Sequence, residues 1–161
     1  MAAKSRKENV DQSPAAVNKK AYHNYELTER FEAGLSLLGS EVKSLRTGQA
    51  DLAGSYARVE NRQGWLIGVN IARYEKTGTA GHEPTRKRKL LLHKNELRRI
   101  QTKLDQRGFT LIPLRIYFND RGLAKVELAL ARGKRKYDKR RKITEREQKK
   151  GIDRDMKKYH R

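Results

Sequence analysis

The tightest constraint on the fold is a run of period-two alternation near the end of the chain. Val126, Leu128 and Leu130 alternate with Lys125, Glu127 and Ala129, the pattern of a strand with one face buried and one face wet. A second apolar run, residues 109–118, precedes it across Asn119-Asp120-Arg121-Gly122, a turn sequence. The two runs read as the last two strands of an antiparallel sheet. Pro113 lies in the first of them and cannot donate to a ladder, which places an edge or a bulge there.

Further short strands lie upstream. Over residues 25–38 the apolar positions Tyr25, Leu27, Phe31, Ala33, Leu35 and Leu37 fall mostly on every second residue, as in a half-buried strand. Residues 56–60 and 65–71 flank Asn61-Arg62-Gln63-Gly64, a hairpin-turn sequence. Ser40 is a predicted N-cap for a short helix over 41–46, with Val42 and Leu45 on one face and Gly48 beyond its end. That helix sets Lys43 and Arg46 side by side on one edge, free for an anionic partner. A second helix is expected over 94–106, with Leu97, Ile100 and Leu104 on one stripe and Gly108 as its stop. The fold class is therefore mainly β: a small antiparallel barrel, which removes its edges by closing, with two or three short flanking helices.

The ends differ in character from the middle. Residues 1–17 are polar and show no period, so they are expected to be flexible, with the folded domain at 18–131. Residues 132–161 hold fifteen Lys or Arg against five Asp or Glu, and their only apolar members are Tyr137, Ile143, Ile152, Met156 and Tyr159. Such a segment cannot build a core and should be disordered alone. It lacks helix breakers apart from one Gly over 139–158, and Ile152, Met156 and Tyr159 share a helical stripe, so an anionic surface that cancels its self-repulsion could fold it as a helix. Inside the domain, residues 74–89 contain Gly78, Gly81 and Pro84 and end in Arg86-Lys87-Arg88-Lys89. They read as a long exposed loop of functional kind.

Charge narrows the function. Among 161 residues, 39 Lys or Arg stand against 19 Asp or Glu, a net +20, which points to a polyanionic partner. Nucleic acid is favoured over membrane, because no stretch approaches the length of a spanning helix and the tail lacks the apolar face of a membrane-surface helix. The N-terminal segment has no apolar core of a secretory signal, so a cytoplasmic protein is expected. Cysteine is absent and His23, His82, His93 and His160 are scattered, so no disulfide, metal site or cofactor is expected. No phosphate-cradling loop, nucleophile elbow or zinc-protease motif occurs. Glu29, Glu32 and Glu41 with His23 or His82 are the one conceivable acid/base or metal set, and an enzyme is not the favoured reading.

Binding has better candidates. Asn18-Lys19-Lys20-Ala21-Tyr22-His23-Asn24-Tyr25 interleaves cations with rings, a mixture suited to holding phosphates and stacking unpaired bases. The same rings equally suit packing at the start of the first strand. Glu32 alternates with Phe31 and Ala33 and so faces away from the core. It is either an ordinary surface carboxylate or an acceptor for base amino groups and a neighbouring Arg.

Taken in order, Asn18 to Tyr25, then Phe31-Glu32-Ala33-Gly34-Leu35, Gly39-Ser40-Glu41-Val42-Lys43-Ser44-Leu45-Arg46, Pro84-Thr85-Arg86-Lys87-Arg88-Lys89-Leu90-Leu91-Leu92 and Gly133-Lys134-Arg135-Lys136-Tyr137-Asp138-Lys139-Arg140 resemble the signature segments of the bacterial SsrA-binding (SmpB) family. The resemblance implies a barrel of oligonucleotide-binding-fold character and a monomeric adaptor without catalytic activity. Such an adaptor binds the tRNA-like domain of transfer-messenger RNA (tmRNA) and enters the A site of stalled ribosomes for trans-translation. It implies tmRNA binding by Asn18, Glu32 and Leu91, with Lys19, His23, Tyr25, Lys43, Arg46, Arg86, Arg88 and Lys89 in the same motifs. Leu91, inside Leu90-Leu91-Leu92, equally suits a core place beneath that surface.

For the tail the resemblance implies a helix in the empty mRNA channel of the small subunit, beside the rRNA of the decoding centre. Gly133, Lys134, Lys136, Tyr137, Asp138, Lys139 and Arg140 open it, with Tyr137 near the decoding bases. Relatives often carry an apolar pair where this chain has Asp155-Met156, and only Met156 keeps that character. A general basic protein of the ribosome or nucleoid, and a metal-dependent nuclease using Glu29, Glu32 and Glu41, are the rival readings.

Overall fold

A computed structural model describes residues 14–74 and 81–134. In chain order the elements are β1 (Ala16–Val17), α1 (Ala21–Asn24), β2 (Tyr25–Leu35), α2 (Gly39–Arg46), β3 (Ala50–Asp51), β4 (Tyr56–Glu60), β5 (Gln63–Ile67), β6 (Asn70–Ile71), β7 (Arg88–Leu91), α3 (Lys94–Leu104), β8 (Phe109–Phe118) and β9 (Ala124–Gly133). Strands β8, β4, β5, β7, β2 and β9 are neighbours in that order, and β9 pairs back onto β8. The six antiparallel strands thus close into the expected barrel and leave no long edge. β1 extends β8, and β3 pairs with β6 apart from the barrel.

Local sequence explains the joints. Asn119 Oδ1 accepts from the backbone N–H of Arg121 at 3.2 Å and of Leu123 at 2.8 Å, which folds the β8–β9 turn. Asn61 and Arg62 take φ of 50° and 59° between β4 and β5, the left-handed pair of a two-residue hairpin turn. The β8–β9 register shifts between Pro113 and Arg115, so of the edge or bulge expected at Pro113 it is a bulge that forms. Inward residues Phe31, Leu66, Leu111, Ile116, Leu128 and Leu130 fill the barrel together with Leu45 of α2 and Ile100 of α3. Burying each such side chain contributes about 1.5–3 kcal/mol, which makes this cluster the chief support of the fold.

The structure departs from the sequence reading in several places. Ala16 and Val17, expected in the flexible N-terminal segment, form β1, and Ala16 is buried against the core as β1 pairs with β8. The run 65–71 is broken at Gly68, whose φ is 76°, and its far end pairs with β3 instead of continuing the hairpin. Ser40 is not the cap of α2, which begins at Gly39. Its hydroxyl meets His82 Nδ1 at 2.9 Å, while His82 Nε2 reaches the Ile71 carbonyl at 3.0 Å. Nor are residues 81–89 simply an exposed loop, since His82 is buried and Arg88, also buried, opens β7. Ala129 and Ala131, on the expected wet face of β9, are buried with Ile112 and Leu114 beneath Ala21 of α1.

Candidate nucleic-acid interface

The bulge in β8 and the helix α1 divide the outer face of β2, β9 and β8 into two halves. One half is the apolar patch under α1; the other is polar and open. Register sets its rows: Glu32 lies opposite Glu127 and Gly34 opposite Lys125 across β2 and β9, while Arg115 faces Glu127 and Tyr117 faces Lys125 across β9 and β8. Two carboxylates directly opposite each other would repel. Here Arg30 at 3.0 Å and Arg115 at 2.6 Å both hold Glu127, and Lys125 at 3.1 Å holds Glu32. The Tyr117 hydroxyl donates to the other oxygen of Glu32. The Arg115 guanidinium stacks over the Tyr117 ring at 5.1 Å, and Arg30 over Tyr22 at 5.9 Å.

These contacts fix the protonation of the face. The bond from Tyr117, then that from Lys125, hold the Glu32 carboxyl below its ordinary range despite some desolvation. Tyr117 is pushed up to about 12, first by burial and then by its bond to Glu32. At neutral pH the pair is a carboxylate and a phenol, an acceptor beside an aromatic edge with cations on either side. Leu91 joins this surface, because Leu91 pairs with Gly34 across β2 and β7 and is 56% exposed. It is an outward apolar side chain, and the core place suggested by its neighbours Leu90 and Leu92 does not apply.

A second cluster lies inside. Glu41 accepts from the Leu38 N–H at 2.7 Å, from Arg86 at 2.8 Å and 2.5 Å, and from Arg88 at 2.9 Å. Arg88 also donates to the carbonyls of Val69 at 2.6 Å, Pro84 at 2.7 Å and Arg86 at 3.2 Å. Desolvation pushes the Glu41 carboxyl up, but Arg86, the Leu38 N–H and Arg88 together outweigh it and the net direction is down. Arg88 is pulled down by desolvation against the pull of Glu41. The Arg88 side chain is wholly buried, so the expectation that it contacts RNA directly is corrected: its fork is occupied in tying α2 to β7 and to the preceding loop. Arg86 remains partly exposed at the edge of the same cluster.

The other expected residues fall in two groups. At the start of β2, Lys19, Tyr22 and His23 are exposed and Tyr25 is half-buried against the α1 patch. Asn18 is buried and donates from Nδ2 to the Pro113 carbonyl at 3.1 Å, a bond that ties this segment to β8. Gly133 pairs with Tyr25, the Lys134 N–H donates to the Asn24 carbonyl at 3.1 Å, and Lys134 Nζ donates to the Tyr22 carbonyl at 2.6 Å. The tail therefore leaves the barrel beside the aromatic segment. Lys136, Tyr137, Asp138, Lys139, Arg140 and Met156 lie outside the described residues. The second group is on α2 and β7, where Lys43, Arg46 and Lys89 are exposed. Lys43 lies over the Tyr74 ring at 5.4 Å and Arg46 over Phe118 at 5.5 Å, which orients both cations.

Sequence reasoning missed Arg30, Arg115, Tyr117 and Lys125. Their alternation was visible, but only the pairing register brings them around Glu32. Of the carboxylates in the catalytic alternative, Glu29 is held by Arg99, Glu32 by Tyr117 and Lys125, and Glu41 by its two arginines. Among the described residues no three of His, Asp or Glu gather as a metal site, and no helix is long and apolar enough to cross a membrane.

Comparison with known proteins identifies relatives of the chain. The family described as "SmpB protein" matches residues 15–158. A protein of Thermus thermophilus described as "SsrA-binding protein" is 56% identical over 129 residues, 80% of this chain and 90% of that one. One of the same description from a Sulfurihydrogenibium species is 47% identical over 148 residues, covering 92% and 97%. A chain in the solved structure described as "tmRNA-SmpB: a journey to the center of the bacterial ribosome" matches with a TM-score of 0.65 and 53% identity, over 79% of this chain and 92% of that chain.

Proposed function

The chain belongs to the SmpB family, and on that premise we propose that it is an RNA-binding adaptor that binds tmRNA and takes it to stalled ribosomes for trans-translation. The observation that carries the mechanism is the pairing of Gly133 with Tyr25. It roots the basic tail on the same corner of the barrel as the cations and rings of Lys19, Tyr22 and His23, so a barrel holding one RNA sends its tail out from that RNA's border. Glu32 and Leu91, framed by Arg115, Tyr117 and Lys125, form the polar face that reads tmRNA. Lys43, Arg46, Arg86 and Lys89 add phosphate contacts around α2 and β7. Asn18 and Arg88 act from beneath, by holding these segments in place. The tail, with Tyr137 among its cations, occupies the mRNA channel and the decoding site. The role is performed without catalysis by the protein, as a monomer, in the cytoplasm with the ribosomes.

Two measurements test this. Electrostatic binding falls with salt for any RNA, by roughly 0.7–0.9 log units per log unit of salt for each phosphate contact. The adaptor is expected to keep its preference for tmRNA over a folded RNA of equal length at physiological salt; equal affinity for both overturns the reading and leaves a general basic protein. A chain ending at Lys134, which retains the β9 pairing to Tyr25, should bind tmRNA and fail to support tagging. Loss of tmRNA binding in that truncation shows that the labour is divided differently.

A further inference from the structure

A groove of about 720 Å³ lies between the β4–β5 hairpin and α3, lined by Val59, Arg62, Lys94, Leu97, Arg98 and Gln101. None of these residues belongs to the polar face around Glu32. Lys94, Leu97, Arg98 and Gln101 recur at helical spacing on one side of α3, while Ile100 of the same helix is buried in the barrel core. Val59 and Leu97 are half-buried and give the groove an aliphatic floor.

Three of its cations stand without an acidic partner among the described residues, in contrast to several arginines elsewhere on the surface. Arg30, Arg58, Arg99 and Arg115 are each held by a glutamate. Arg62, Lys94 and Arg98 have no carboxylate within ion-pair distance among the described residues, and all three are exposed around the groove. Arg62 moreover sits at φ 59° in the second place of the hairpin turn, where glycine is the unstrained choice and a long side chain is uncommon.

We propose that this groove docks a short acidic segment of a partner protein that carries an aliphatic anchor. Three cations with no internal partner complement carboxylates, and the Val59–Leu97 floor takes an apolar side chain between them. An RNA strand fits less well, because no aromatic ring lines the groove and a base would have nothing to stack on. The chain's own tail is basic, with fifteen Lys or Arg against five Asp or Glu over residues 132–161, so the occupant is another molecule.

The test uses the full chain and a fluorescein-labelled synthetic peptide of about eight residues, mostly glutamate around a central Leu-Leu, followed by anisotropy at physiological salt. Arg62→Gly and Arg98→Gln are each expected to weaken binding about tenfold. Arg62→Gly should do so without lowering the thermal midpoint, because glycine adopts positive φ freely. Exchange of Leu-Leu for Ser-Ser should weaken binding to a similar degree. Equal binding of the serine peptide reduces the groove to a diffuse positive field and overturns the proposal, as does wild-type binding by both variants. If the variants instead lose affinity for single-stranded oligouridylate and not for the peptide, the groove is an RNA site and the proposal is wrong.

Discussion

Glu41 and Glu32 are each held by neighbouring donors, but one is sealed from water and the other is 55% exposed. A carboxylate offers about four acceptor positions. On Glu41 all are taken, by the Leu38 N–H, two nitrogens of Arg86 and one of Arg88. On Glu32 only Tyr117 and Lys125 are bound among the described residues, one on each oxygen. The difference separates architecture from recognition. A filled and buried carboxylate fastens α2, β7 and the loop that precedes β7; a half-filled and exposed one is held in place with capacity left for an incoming donor.

The largest effect should come from emptying the buried site. Glu41→Ala leaves Arg88 as a buried cation without a counter-charge, and breaking such a pair costs about 3–5 kcal/mol. Urea unfolding should show the midpoint falling with little change of slope. A loss comparable to that of an ordinary surface change would mean that the Glu41 cluster does not fasten the fold, and the contrast with Glu32 would disappear.

Acid should find the same site in the native protein. The Glu41 carboxyl lies below its ordinary value of 4.5 in the folded state, so its contribution to stability is fully present above that value. It is lost as pH falls through the lower folded value, because the unfolded chain takes up the proton first. The expected observation is a steepening loss of stability below about pH 4.5 that is shallower in Glu41→Gln, read from unfolding curves at a series of pH values. A pH profile that Glu41→Gln leaves unchanged would assign the acid sensitivity to other carboxylates.

The legibility of these two sites differed for a physical reason. The barrel could be read from period-two alternation at Val126, Leu128 and Leu130, from the Asn119–Gly122 turn and from Pro113, because strand and turn signals are local. The polar face around Glu32 could be read only in part: alternation turned Glu32 outward, but Arg115, Tyr117 and Lys125 reach it through the register of β2, β9 and β8. Arg88 misled for the converse reason. Its place in Arg86-Lys87-Arg88-Lys89 made it look like one more exposed cation, and only the position of Glu41 on α2 turns it inward. Ser40 shows the same limit on a small scale, since a hydroxyl suited to a cap was drawn off by His82 from a distant loop.

On the exposed side the expected effects are smaller and fall on binding instead of stability. Glu32→Ala removes an accessible side chain, so unfolding should change by no more than about 0.5 kcal/mol. Its affinity for tmRNA should fall about tenfold, the worth of one hydrogen bond to a charged group. A large drop in stability with unchanged binding would make Glu32 a second Glu41.

The finest test separates the carboxylate from the group that aims it. Tyr117→Phe keeps the ring beneath Arg115 and removes only the hydroxyl that donates to Glu32. If Tyr117 positions Glu32, this variant should lose about threefold in tmRNA affinity, less than Glu32→Ala, and the double variant should bind no worse than Glu32→Ala alone. Full additivity of the two changes would show that Tyr117 meets the RNA by itself. The carboxyl of Glu32 should also titrate at higher pH in Tyr117→Phe, since the first of the interactions holding it down is gone. That shift can be followed by NMR in the protein without RNA, and it would not occur if the hydroxyl served packing alone.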